Sequence, residues 1–224
     1  LLEISGNVSY YKNITTNQNA SISDVSVQLI KSNGNNTSID QMTDIDGNYY
    51  CTIEIGNQEW MAENLKVTHY NNGDAIPTGY SNSEWAFLSE TETGAYAIYD
   101  DDPSNAEIYG NLYNWYAVDD SRGVCPEGWY VPTDDEFKIL EMYLGMSQLE
   151  VDETGWRGTN EGSKLAGSAQ LWSNGNLENN SEFGTSGFNG LPSGYRYYLD
   201  GHYSSIGYGG YFWSSSENNI RAGH

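Results

Sequence analysis

The side chains able to do chemistry in this sequence are few: three histidines, two cysteines and two tight groups of aspartates. His69, His202 and His224 stand apart in Tyr- or Gly-rich polar surroundings. None lies beside a Gly-x-Ser-x-Gly elbow or a Cys-Gly-x-Cys run, so no nucleophile, base and orienter assemble. Surface histidines are the plain expectation, and no catalytic residue is assigned. Asp44-Ile45-Asp46-Gly47-Asn48 sets alternating oxygen ligands around a glycine turn, as calcium loops do, but lacks the closing Glu of a full loop. Asp-Gly between strands is first a tight-turn signal. Asp100, Asp101 and Asp102, with Asn105 and Glu107 nearby, repel one another, and a divalent cation would relieve that repulsion. The favoured reading is a solvated loop in an acidic protein. No cofactor is required, and calcium at Asp44, Asp46, Asp100, Asp101 and Asp102 is the one metal worth testing. A carboxylate pair for glycoside hydrolysis carries no information here, because among 31 acids some pair always has the spacing.

The charge balance narrows the partners. A formal charge of -22, from 31 acids against 9 bases, repels phosphate and offers no basic stripe, which excludes nucleic acid and disfavours an anionic membrane surface. No apolar run is long enough to span a bilayer. Nineteen Tyr and seven Trp set the chain apart from disordered sequences and match the profile of extracellular β-rich proteins. Such a setting permits a Cys51–Cys125 disulfide, with two free buried thiols as the alternative. Glycosylation sequons stand at Asn7, Asn13, Asn19, Asn35, Asn36 and Asn179. The chain opens at Leu1 without a signal peptide, which fits a processed precursor.

The elements that would hold these residues are legible in part. Period-two alternation at Ile4, Val8 and Tyr10, at Val25, Val27 and Leu29, and at Tyr49, Cys51, Ile53 and Ile55 predicts strands over residues 1–55. From about residue 56 a second unit begins, running to 224. Trp85, Phe87, Tyr96, Ile98 and Tyr99 mark short strands or packed loops, and residues 105–118 could hold a helix. The strongest helix lies at 134–144: Thr133 caps it with Glu136 three residues on, Phe137, Leu140 and Leu144 form its apolar stripe, and Gly145 stops it. A short helix is expected near 162–166. Beyond Phe183 the chain turns Gly- and aromatic-rich. Tyr195, Tyr197, Tyr198, Tyr203, Tyr208, Tyr211 and Trp213 either pack a core poor in aliphatic residues or form a ligand face of rigid rings on adaptable loops.

Two motifs resemble a known family. Gly56-Asn57-Gln58-Glu59-Trp60-Met61-Ala62-Glu63-Asn64-Leu65-Lys66 and Gly128-Trp129-Tyr130-Val131-Pro132-Thr133-Asp134-Asp135-Glu136-Phe137, with Gly194-Tyr195-Arg196 and Phe212-Trp213-Ser214-Ser215-Ser216, are similar to the Fibrobacter succinogenes major paralogous domain family over about residues 43–217. The N-terminal segment resembles a carboxypeptidase-regulatory-like, immunoglobulin-type β-domain. The resemblance implies an α+β, β-rich fold: a small sandwich-like segment at 1–55, then at 56–224 a C-type-lectin-like, formylglycine-generating-enzyme-like module with one or two helices. It also implies secretion and attachment to the cell surface, but no shared activity. In the family a Cys at the position of Cys125 often pairs with one near the C-terminus, absent here. The reactive cysteine pair of the formylglycine-generating relatives is absent as well, which speaks against that oxidation.

The sandwich is short of strands, and the family's closing strands have no counterpart after Trp213. An open sheet edge and an uncovered apolar face are satisfied by a strand from a neighbour. The leading expectation is therefore a non-enzymatic extracellular structural subunit that self-assembles into a homo-oligomer or filament, with Ile4, Val8 and Tyr10 as the donated strand. Completion by the N-terminal strands within one chain is the alternative. The second function class is an adhesion module that binds carbohydrate or protein through Tyr195, Tyr197, Tyr203, Tyr208, Tyr211 and Trp213.

Overall fold

The computed structural model describes the backbone of residues 2–5, 10–12 and 30–31 and all of residues 42–216. The fold is mixed α and β. Its described strands are β1 (Leu2–Ser5), β2 (Tyr10–Lys12), β3 (Ile30–Lys31), β4 (Met42–Thr43), β5 (Tyr49–Tyr50), β6 (Thr52–Ile55), β7 (Gln58–Met61), β8 (Tyr96–Ala97), β9 (Leu112–Tyr113), β10 (Trp129–Tyr130), β11 (Gly155–Arg157), β12 (Ser193–Arg196), β13 (Tyr203–Ile206) and β14 (Gly209–Phe212). The helices are α1 (Asn82–Thr91), α2 (Pro103–Tyr109), α3 (Trp115–Val118), α4 (Asp134–Leu144), α5 (Gln148–Val151) and α6 (Glu161–Leu165), with single 3-10 turns at Tyr99–Asp101 and Ala169–Leu171. No helix among the described residues is long and apolar enough to cross a membrane.

The N-terminal strands do not build a sandwich of their own among the described residues. They are parts of the sheets of the second unit. One sheet has the order β11-β2-β1-β14, and another β10-β3-β7-β6. β1 pairs antiparallel with β14 in the register Leu2↔Phe212, Glu3↔Tyr211, Ile4↔Gly210 and Ser5↔Gly209. One side of β14 is thus paired by the same chain. This corrects the expectation of a strand donated to a neighbour: Ile4 and Tyr10 lie in strands paired within one chain, and Val8 lies outside the described residues. β14 is the last strand of its sheet, so this pairing occupies its β1-facing side.

β7 separates two cores. Successive strand side chains point to opposite faces, so Trp60 enters one apolar cluster and Met61 the other, both with no exposed surface. The first cluster gathers Ile55, Phe137, Leu140, Phe188 and Phe212 around Trp60. The second gathers Tyr50, Leu65, Val67, Tyr70, Tyr113 and Trp213. A smaller cluster under α1 holds Trp85, Leu88, Ala95 and Ala97.

α4 forms where the sequence predicts it. The Thr133 side chain accepts from the Glu136 N–H, and Glu136 returns a bond of 2.7 Å to the Thr133 N–H. Three other expectations are corrected. Residues 105–118 do not form one helix, because Gly110 at φ 72 ends α2 and the chain extends into β9 before α3. Trp85 and Phe87 lie on α1, not on strands or loops, and Ser81 and Glu84 form its capping box. The single alternation read over Tyr49 to Ile55 breaks at Cys51, whose carbonyl bonds the Ala62 N–H, so Tyr50 and Ile55 are buried while Tyr49 and Cys51 are exposed.

Candidate functional site

The Trp60-to-Lys66 motif is divided by burial. Trp60, Met61 and Leu65 have no exposed surface, whereas Glu63, Asn64 and Lys66 line a groove of about 390 Å³. The second wall is α2, with Glu107 and Ile108, and the third comes from Ser168, Gln170, Leu171, Asn189 and Leu191. That size suits a small ligand.

The walls are held by backbone bonds and by close glycine contacts. Asn64 Nδ2 donates to the Tyr109 carbonyl at 2.7 Å, and Asn111 donates through its backbone N–H to Leu65 O and through Nδ2 to Lys66 O, each at 3.0 Å. Any side chain at Gly110 would put its Cβ 2.7 Å from Asn64 Cβ and 2.8 Å from Leu65 O, so α2 seats directly on the motif. On the third wall, Asn189 Nδ2 donates to Ala62 O at 3.0 Å, and a Cβ at Gly167 would lie 1.9 Å from Asn189 Oδ1. Ser168 and Asn189 both take the left-handed conformation, at φ 55 and 57. Such backbone costs on the order of 1 kcal/mol or more per residue and is kept where the surroundings over-determine it, commonly at binding sites. Lys66 Nζ stands 3.5 Å from Glu107 Oε2. Glu63 Oε1 accepts from the Cys51 N–H at 3.1 Å, and a hydrogen bond to Glu63 raises the pKa of the Cys51 thiol. The lining thus mixes amides, a hydroxyl and one ion pair with the apolar side chains of Ile108, Leu171 and Leu191. Its amide and hydroxyl groups can donate and accept hydrogen bonds.

Most residues singled out by sequence serve the fold. Asp44 is buried, and its carboxylate accepts from the Asp46 and Asn48 N–H groups, Asn48 Nδ2 and, at 2.6 Å, the Tyr50 hydroxyl. Asp46 accepts from the Thr68 N–H and hydroxyl and lies 2.6 Å from His69 Nδ1. Burial opposes its ionisation, yet the Thr68 and His69 hydrogen bonds outweigh it and lower the Asp46 pKa. Thr68 and His69 share one carboxylate, so the trio is not a relay from hydroxyl through imidazole to acid. Asp102 caps α2 through the Ser104 N–H, and Asp101 accepts from the Tyr203 hydroxyl. Among the described residues no three His, Cys, Asp or Glu side chains come together in an arrangement that could hold a metal ion. His202 Nδ1 pairs with Asn82 Nδ2 at 2.9 Å, and His224 lies outside the described residues.

Both cysteines are free thiols, Cys51 exposed and Cys125 half-buried, in place of the Cys51–Cys125 bridge. Burial pushes the Cys125 thiol up to about 12. The two thiols are directed to different partners, Cys51 to the Glu63 side chain and Cys125 to the Val131 backbone. Among the sequons, Asn179 is exposed, while Asn7, Asn13, Asn19, Asn35 and Asn36 lie outside the described residues.

The aromatic face divides as well. Trp213 is 5% exposed and donates from Nε1 to Tyr113 O at 2.8 Å, so it belongs to the core and not to a ligand surface. Tyr195 and Tyr211 pack edge to face at 4.9 Å against the same core. Tyr203 covers the buried Arg196, whose guanidinium lies between the Tyr203 and Trp85 rings and donates to the Gly201 and Tyr80 carbonyls. Tyr197 and Tyr198 are half-buried against each other. Tyr208 alone among these rings is well exposed, at 64%. The groove was not foreseen, because its lining comes from stretches far apart in sequence. The available signal was the switch from apolar to polar residues within Trp60-Met61-Ala62-Glu63-Asn64-Leu65-Lys66.

Residues 53–224 match the family described as the Fibrobacter succinogenes major domain. No curated protein and no solved structure matches the chain.

Proposed function

The chain belongs to the Fibrobacter succinogenes major domain family, and on that premise we propose that it is a non-enzymatic recognition module, secreted or held at the cell surface, whose ligand occupies the groove beside Glu63, Asn64 and Lys66. The division of the motif carries this reading: its apolar half anchors two cores, and its polar half lines a groove held by close backbone contacts. The filament expectation used the strand around Ile4 as the donor, and the β1–β14 pairing gives that strand a partner within its own chain. The non-enzymatic character is supported by the site's make-up, since the lining holds Ser168 but no histidine or cysteine, and so no Ser–His or Cys–His pair.

Filling the groove tests this. Ala106 and Gln170 line it, half-buried and exposed respectively. Ala106→Trp and Gln170→Trp should each abolish retention of a polysaccharide or extracellular protein bound by the parent chain in a solid-phase panel, with the melting temperature within a few degrees of the parent. Retention that survives both substitutions, no retention of any panel member, or turnover of a bound ligand would each overturn the reading.

A further inference from the structure

We propose that the groove takes an uncharged, hydroxyl-rich saccharide unit, with Ser168, Gln170 and Asn189 meeting its hydroxyls and Tyr208 offering a ring face at the adjoining rim. This rests on the groove being the ligand site.

Amide and hydroxyl side chains both donate and accept, as sugar hydroxyls do, whereas a charged ligand calls for a concentrated opposite charge. The lining has none: Lys66 and Glu107 pair at 3.5 Å, Glu63 adds a further acid, and the whole chain carries -22. Uronates, phosphates and sulfates are therefore repelled. An extended peptide would pair with a strand edge, but all of the lining residues lie outside strands. Leu171 and Leu191 supply apolar wall against which the C–H face of a sugar ring can rest.

The backbone turn that carries Tyr208 is tied to the chain segments that follow Leu171 and Leu191. The turn is fixed by Gly207 N–H to Pro192 O at 2.9 Å and Ser173 N–H to Gly207 O at 2.7 Å, one residue after Leu191 and two after Leu171 in sequence. A Cβ on Gly207 would lie 3.6 Å from the Leu171 carbonyl oxygen. Although 64% exposed, the ring stands on a tied turn and loses little freedom on contact.

Calorimetry on the full chain tests the proposal, with short neutral hexose and pentose oligomers, the corresponding uronic acid oligomers and an uncharged peptide as probes. A neutral oligomer should bind with micromolar-to-millimolar affinity, unchanged between about 50 and 500 mM salt. Tyr208→Ala should weaken it about tenfold, while Tyr208→Phe retains it and Leu199→Ala, an exposed apolar control, leaves it unchanged. Uronate or peptide bound as well as the neutral oligomer, no oligomer bound, or indifference to Tyr208→Ala would overturn it. If the tryptophan substitutions in the groove still abolish capture of some other ligand, the saccharide class alone fails. If they do not, the groove itself fails as the site.

Discussion

Trp60→Ala should lower the stability of the protein by about 3–5 kcal/mol, the usual cost of emptying a large aromatic site in a packed core. Trp60 has no exposed surface and packs on Phe137 at 5.4 Å and on Phe188 at 5.6 Å. Phe188 in turn meets Phe212 edge to face at 5.6 Å. Those neighbours belong to α4, to the chain beside Asn189 and to β14, so they cannot all collapse into one cavity. For a chain of this size the loss is on the order of 10 °C in melting temperature. The indole N–H is buried without a hydrogen-bond partner among the described residues. Ring volume, not hydrogen bonding, is then what Trp60 contributes, and Trp60→Phe should lose less than half as much. Chemical denaturation of the three proteins measures both. Equal losses for Phe and Ala would mean that the N–H has an acceptor.

The second large effect concerns a charge pair inside the first core. Arg157 Nη2 donates to Glu141 Oε1 at 2.5 Å, and neither side chain has any exposed surface. Removing one partner leaves the other charge in a low-dielectric interior, a change that costs about 3–5 kcal/mol, while replacing both by apolar groups of similar volume is often neutral. Glu141→Leu should therefore unfold the protein at distinctly lower denaturant, and Glu141→Leu with Arg157→Met should recover most of the loss. A double variant as unstable as the single one would show that the pair serves through contacts other than its charges.

Local structure was the legible part of this sequence. Thr133 and Glu136 announced α4 because a capping box acts within four residues. Ser81 and Glu84 carry the same signal for α1, but Trp85 and Phe87 read as markers of short strands or packed loops. The buried Glu141 on α4 was hidden for a different reason: its partner, on β11, is set by tertiary packing. Alternation marked the N-terminal strands as strands, yet period two says nothing about what lies alongside. The pairing of Leu2 with Phe212 depends on where the chain returns, and so the shortage of strands was read as an open margin. The groove was invisible for the same reason. Asn64, Glu107 and Asn189 are brought together by Gly110 and Gly167, whose close contacts no local pattern encodes.

The account depends on a chain that pairs its own β1 with its β14, leaving its groove and not a donated strand to meet a partner. A paired-cysteine experiment tests this most directly. Glu3 and Tyr211 are opposite each other across β1 and β14, at a spacing that cross-strand disulfides bridge. In a chain with Cys51→Ser and Cys125→Ser, the variants Glu3→Cys and Tyr211→Cys together should oxidise to a monomer cross-linked within itself, seen by non-reducing electrophoresis and intact mass. Covalent dimers or ladders joined through the same two positions would contradict the account and restore strand exchange between copies.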